Sequence, residues 1–213
     1  LLPQYRTVSG YGEAAFEIEK SRFIAYADRA ETPEAAQRFI AAIRKKHWDA
    51  THNCAAYMCG ERDETQKADD DGEPSGTAGK PILEVIKKMG LKDSVVVVTR
   101  YFGGIKLGAG GLIRAYGKSA SVGLQAAGII ERRLFTPIAM AIDYGLYGKF
   151  EQELRLRGYR IMETQFGAAV TVIALEEAGQ EERLEKMAAD WSSGCAELMR
   201  RDAVYVDAPV NAQ

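Results

Sequence analysis

Ser94-Val95-Val96-Val97-Val98-Thr99-Arg100-Tyr101-Phe102-Gly103-Gly104-Ile105-Lys106-Leu107-Gly108-Ala109-Gly110-Gly111-Leu112-Ile113-Arg114-Ala115-Tyr116 is the stretch on which the fold turns. Its unbroken β-branched run predicts a central strand covered on both faces. The glycine cluster that follows predicts a loop over 103–111, and a helix is expected over about 112–127, with Ala115, Ser119, Ala120 and Gly123 small enough to let it lie close to a sheet. A buried strand running through a glycine loop into a helix is a context in which backbone N–H groups and the positive end of the helix cradle an anion. Lys106 and Arg114 add formal charge. The spacing matches neither the nucleotide P-loop nor the dinucleotide fingerprint. The other reading is that the glycines only permit a tight turn and close packing, and the two weigh evenly. On the first, the anion- or nucleic-acid-binding residues are Arg100, Gly103, Gly104, Lys106, Gly108, Gly110, Gly111 and Arg114, with Arg100 also open to a structural role.

Working outward, extended segments near 15–19 and 22–27 joined at Lys20-Ser21 predict a hairpin. Thr32-Pro33-Glu34 supplies a cap, a proline at the first helical position and an acid in the first turn, so a helix is expected to about Lys46. Residues 53–59 read as a strand, 60–79 as loop, and Ile82, Val85, Ile86 and Met89 as the apolar stripe of a short helix ending at Gly90. Residues 131–137 read as a link between domains 1–133 and 134–213. Beyond it, strands near 138–144, 159–166, 168–175 and 196–205 alternate with two helices in βαββαβ order, the split βαβ or ferredoxin-like arrangement. The fold class is therefore α+β in two domains.

A second unusual segment carries Asp70, Asp71, Gly72, Glu73, Pro74, Gly76, Thr77 and Gly79. Its acids suit acid–base work or a hard cation, but the spacing fails the calcium-loop pattern, and a solvated turn is preferred to a metal site. His52 and Cys54 share a strand face, where an imidazolium lowers a thiol's pKa. No second base or oxyanion donor accompanies them, so Cys54 and Cys59 are read as small buried residues. No catalytic residue, cofactor or metal is assigned.

The overall charge is −2. It divides unevenly: the first 135 residues hold 20 Lys and Arg against 17 Asp and Glu, and the rest hold 8 against 13. A polyanion would meet the first part more readily. The absence of a long apolar run argues against a membrane span. Three cysteines are too few and too odd for a disulfide framework, so a reducing, cytoplasmic compartment is expected.

Four motifs taken together, Glu19-Lys20-Ser21-Arg22-Phe23-Ile24-Ala25, His52-Asn53-Cys54, Asp71 through Gly79, and Thr99-Arg100-Tyr101-Phe102-Gly103-Gly104 continuing to Leu112, resemble the IMPACT/YigZ family. The resemblance implies a first domain like the second domain of a ribosomal small-subunit protein, and a second domain like the fifth domain of elongation factor G. Eukaryotic relatives, in which an additional partner-binding domain is present, regulate translation by competing for an activator of the amino-acid-starvation kinase. What the resemblance implies here is translation-linked binding, with RNA, a ribosomal component or a translation-factor partner. A phosphotransfer or hydrolytic enzyme using the glycine and acidic loops is the alternative.

Overall fold

The computed structural model describes residues 1–210. The chain divides into two units: Tyr5–Arg132 with the described residues from Asp207 onward, and Arg133–Val206 with Leu1–Gln4. The last three positions expected in the second domain lie outside the described residues. The elements are β1 (Gln4–Val8), β2 (Gly12–Ile18), β3 (Ser21–Arg29), α1 (Pro33–Lys46), β4 (His52–Cys59), β5 (Thr65–Asp69), α2 (Gly79–Lys88), β6 (Ser94–Tyr101), α3 (Gly108–Ala126), β7 (Ile129–Ile142), α4 (Tyr144–Leu156), β8 (Ile161–Phe166), β9 (Val170–Glu177), α5 (Glu181–Ser192), β10 (Glu197–Arg200) and β11 (Val204–Pro209).

In the first unit a sheet of order β2-β3-β6-β4-β5 puts the valine run at its centre. Each neighbouring pair is antiparallel. Alternation then sorts the run between two cores. Val96 and Val98 pack with Ile82 and Ile86 of α2 and with Leu112, Ala115 and Leu124 of α3. Val95 and Val97 pack on the opposite face, against residues of α1. The expectation of a strand covered on both faces is met. α1 starts as its sequence demands, with the Ala35 amide donating to Thr32 Oγ1 at 3.2 Å and Pro33 at its first position. At Gly123 of α3 a Cβ would stand 2.8 Å from the Ala25 Cβ, so the close helix–sheet approach depends on the missing side chain.

In the second unit β7, α4, β8, β9, α5 and β10 follow the predicted βαββαβ order. β9 lies between β7 and β8, and β10 pairs antiparallel with β7. Ile138, Met140, Phe150, Leu154, Val172, Leu184 and Ala188 form its core.

Three local expectations are corrected. Residues 131–137 carry no irregular linker: they are part of β7, and the two units divide within them, after Arg132. The segment 60–79 is not all loop, because Thr65–Asp69 forms edge strand β5 against β4. The stretch expected as one strand over 196–205 is two, β10 and β11.

Candidate functional site

The end of β6 and the start of α3 meet the acidic loop and the β2–β3 turn at one end of the first sheet. Gly103 makes this possible. A Cβ there would lie 2.0 Å from the Lys20 carbonyl carbon, so only glycine lets the two turns touch. The Gly103 amide donates to Ser21 Oγ at 3.2 Å and the Phe102 amide to Thr51 Oγ1 at 3.0 Å.

The acidic run is an anchor rather than a solvated turn. Asp70 accepts from the amides of Gly76, Ala78 and Gly79 at 2.8, 3.1 and 2.8 Å, which occupies the positive end of α2. Asp71 accepts from the Asn53 amide at 2.6 Å. Asp69 receives Arg44 at 2.7 Å, and that guanidinium holds its carboxyl below the usual range. Asn53 is fixed in turn, accepting from Thr99 Oγ1 at 2.7 Å.

Beneath this loop lies a buried polar cluster. Arg100 sits opposite His52 across the β4–β6 pair. It donates from Nη1 to Glu73 Oε1 at 2.7 Å and from Nη2 to Ser21 Oγ at 3.3 Å, while its Nε has no hydrogen-bond partner among the described residues. Tyr116 Oη donates to the same Glu73 oxygen at 2.6 Å. Burial, reinforced by Cys54 and Glu73, pushes the Tyr116 hydroxyl far up, so it remains a donor. Burial likewise pushes the Cys54 thiol up, and its Sγ donates to the Asp70 carbonyl at 3.0 Å. The neighbouring imidazole therefore does not make Cys54 a thiolate nucleophile. Cys59 is also buried, which raises it to about 11.

This cluster opens into a cleft of about 390 Å³ lined by Thr51, His52, Glu73, Arg100, Phe102 and Lys106, together with Gly108 and Ala109 of α3. The acidic and glycine segments thus share one cavity. Of the predicted anion site, Arg100, Lys106 and Gly108 come together here, whereas Arg114 lies on the exposed surface of α3. The helix starts at Gly108, so Gly108, Gly110 and Gly111 belong to its first turn and not to a loop. Arg100 is only 5% exposed and neutralised by Glu73, leaving Lys106 as the cleft's exposed cation. The first turn of α3 contains no acid and has no side-chain cap, in contrast to α2 with its Asp70. Gly104 and Gly108 have φ of +87° and +70°, which favours glycine, but Gly110 has neither a positive φ nor a crowded Cβ position; its nearest neighbour would be the flexible end of Arg114 at 3.5 Å. Neither space nor dihedral explains it.

His52, Glu73 and Tyr116 were not assigned to a binding site from the sequence, except that Glu73 belonged to the motif loop. No cluster of three or more His, Cys, Asp or Glu arranged to hold a metal ion exists among the described residues, and no described helix is long and apolar enough to cross a membrane.

Comparison with known proteins adds the following. Residues 19–124 match the model of the Impact N-terminal domain, and residues 140–194 match a domain of unknown function, DUF1949. The chain is 47% identical over 211 residues to IMPACT family member YvyE of Bacillus subtilis, covering 99% of this chain and 97% of that one. It is 36% identical over 186 residues to IMPACT family member YigZ of Escherichia coli, covering 86% and 91%. Protein IMPACT of Mus musculus is 35% identical over 94 residues, which is 42% of this chain and 29% of that protein. A crystal structure of a hypothetical protein, 30% identical, superposes with a TM-score of 0.62 over 95% of this chain and 99% of its own.

Proposed function

The chain belongs to the IMPACT family, and from that premise we propose that it is a translation-linked binding protein whose first unit contacts RNA, free or within a ribosomal component. The observation that carries this reading is the uncapped start of α3 beside an exposed lysine and an exposed aromatic ring. Amides at a helix N-terminus attract phosphate. Lys106 lines the cleft just before α3, Arg114 is exposed further along that helix, and neither is paired with a carboxylate among the described residues. Phe102, 45% exposed at the cleft wall, offers a face on which a base can stack.

The test is sedimentation of the protein with ribosomes and with ribosome-free RNA at two salt concentrations, alongside Lys106→Ala/Arg114→Ala. The native protein is expected to co-sediment with RNA more strongly at low salt. The double variant should have a log K–log salt slope smaller by about one for each phosphate it no longer neutralises. Unchanged affinity and slope in the folded variant would refute the reading.

One observation favours the enzymatic alternative: Glu73 shares the cleft with Lys106, as a phosphotransfer or hydrolytic site requires. Against it, one Glu73 oxygen already accepts from both Arg100 and Tyr116. Turnover of a nucleoside triphosphate abolished by Glu73→Gln would favour catalysis over binding.

A further inference from the structure

The second unit carries a cavity of its own, about 470 Å³, whose lining residues all fall within 133–206. It lies where α4 gives way to β8, beside the end of β9 and the first turns of α5. Gly158, with φ of +75°, turns the chain there: its amide donates to the Arg155 carbonyl at 3.0 Å, and the Tyr159 amide to the Leu154 carbonyl at 2.9 Å. Arg157 and Arg160 reach the cavity from either side of that turn, and Arg183 reaches it from α5. Residues 136–213 are acidic, with 8 Lys and Arg against 13 Asp and Glu, yet three of those cations line this one cavity. Each guanidinium stands differently. Arg157 pairs with Glu153 and lies over the Trp191 ring, 5.3 Å from its centroid. Arg183 forks onto Glu176, Nε to Oε2 at 3.1 Å and Nη2 to Oε1 at 2.7 Å. The same two oxygens accept from the Tyr159 hydroxyl at 2.8 Å and the Glu177 amide at 3.0 Å. This carboxylate, 1% exposed, is therefore fully occupied, and it holds an arginine that is itself 58% exposed. Arg160 is fixed through its backbone, its carbonyl accepting from the Leu175 amide at 3.0 Å, but its guanidinium has no carboxylate partner among the described residues.

We propose that this cavity binds a small amphipathic organic anion, whose carboxylate or phosphate sits on Arg160 and Arg183 and whose apolar part lies along Phe135, Leu175 and Met187. The site is independent of the RNA reading of the first unit. Its volume is that of a small-molecule site, and its lining divides as such a ligand requires. Phe135, Leu175, Met187 and Val206 supply apolar wall, while the guanidinium groups supply charge-assisted donors. Glu176 has already fixed the Arg183 fork, so less side-chain freedom is lost when an anion is gripped there. A cationic ligand is disfavoured, since the lining sets three arginines against the two carboxylates Glu176 and Glu177. A bare inorganic ion would leave the apolar wall unused.

The experiment titrates the isotope-labelled full chain with octanoate, octyl phosphate, octylammonium and inorganic phosphate, followed by amide NMR shifts. At least one of the two octyl anions is expected to bind saturably, with shifts centred on Gly158, Arg160, Glu177 and Arg183, and the tighter of the two identifies the head group. Octylammonium and inorganic phosphate should bind at least about tenfold more weakly, the scale of one charge-assisted hydrogen bond or of a few buried methylenes. Arg160→Gln breaks no contact with a protein carboxylate, so it should keep the native melting temperature while losing about tenfold in affinity for the octyl anion. Unchanged affinity in that folded variant overturns the site. So does the absence of saturable binding by either octyl anion, or octylammonium binding as tightly as they do. Inorganic phosphate binding as tightly as octyl phosphate overturns the amphipathic ligand, and oligouridylate displacing the octyl anion from these amides overturns it in favour of a nucleic-acid contact. Should Arg160→Gln fail to fold, the comparison of the octyl anions with octylammonium decides.

Discussion

Asp70→Ala is expected to destabilise the first unit severely, because one carboxylate organises the whole acidic loop. Its two oxygens accept from three backbone amides, Gly76 at 2.8 Å, Ala78 at 3.1 Å and Gly79 at 2.8 Å. Ala78 and Gly79 are buried, so water cannot readily replace the carboxylate there, whereas Gly76 is partly exposed and regains solvent. Hydrogen bonds to a charged group contribute about 1.5–3 kcal/mol each. Two uncompensated buried amides, discounted for loop relaxation, make the expected destabilisation about 3–5 kcal/mol. That is a large share of the ~5–15 kcal/mol that holds a domain together. Asp71→Ala should cost less, about 1–2 kcal/mol, since it removes one amide hydrogen bond, from Asn53, and a longer approach to Arg44 at 3.4 Å. Urea unfolding followed by circular dichroism gives the magnitude, and hydrogen exchange locates it, with the α2 amides opening first in Asp70→Ala. A destabilisation below about 1 kcal/mol, or α2 amides exchanging at native rates, would show that the carboxylate does not hold this helix.

Four other substitutions probe neighbouring features. Gly110→Ala should fold and gain up to about 1 kcal/mol of stability from helix propensity; lower stability by calorimetry would mean that the glycine is needed for packing. Gly103→Ala should destabilise by about 2–4 kcal/mol, because its Cβ would strike the Lys20 backbone; a native melting temperature would contradict that geometry. Asp93 is raised above the ordinary carboxylate range by burial, so it favours folding progressively as pH falls through that raised value and opposes it at neutral pH. Asp93→Asn can retain the Gly60 amide hydrogen bond at 2.9 Å, and its melting temperature should lack that acid-side gain. Glu181 is held down at about 2, first by the Thr136 hydroxyl and then by the Gly179 amide, so its stabilisation is present above the unfolded value near 4.5 and fades as pH falls toward 2. Thr136→Val should move its titration upward by NMR, and an unmoved titration would rule out the hydroxyl as the main cause.

The elements that could be read from the sequence were those whose local pattern and tertiary role agree. Val95–Val98 reads as a strand covered on both faces because both faces are in fact covered, and Thr32-Pro33 starts a helix by backbone chemistry alone. The misread segments are those where tertiary pairing overrides composition. β5 carries exposed Gln66, Lys67 and Ala68 because an edge strand gains from polar, charged residues, and that composition imitates a loop. The charged run Glu131-Arg132-Arg133 similarly hides the first half of β7, and three glycines hide the first turn of α3, where low helix propensity is the visible signal.

The site was harder to read, since Glu73, Arg100, His52 and Tyr116 come from a loop, two strands and a helix, and Glu73 and Tyr116 are 43 positions apart. One local signal does point to it. Arg100 continues the parity of Val96 and Val98, so in a regular strand it faces the core between the sheet and helices α2 and α3. A guanidinium placed there needs a buried counter-charge. The acidic segment 69–73 is the nearest concentration of carboxylates in the sequence, and Asp69, Asp70 and Asp71 are engaged by Arg44 and by backbone amides. Glu73 is the carboxylate left to meet Arg100. Arg100 and Tyr116 both take its Oε1, which leaves Oε2 facing His52 at 3.7 Å on the cleft wall.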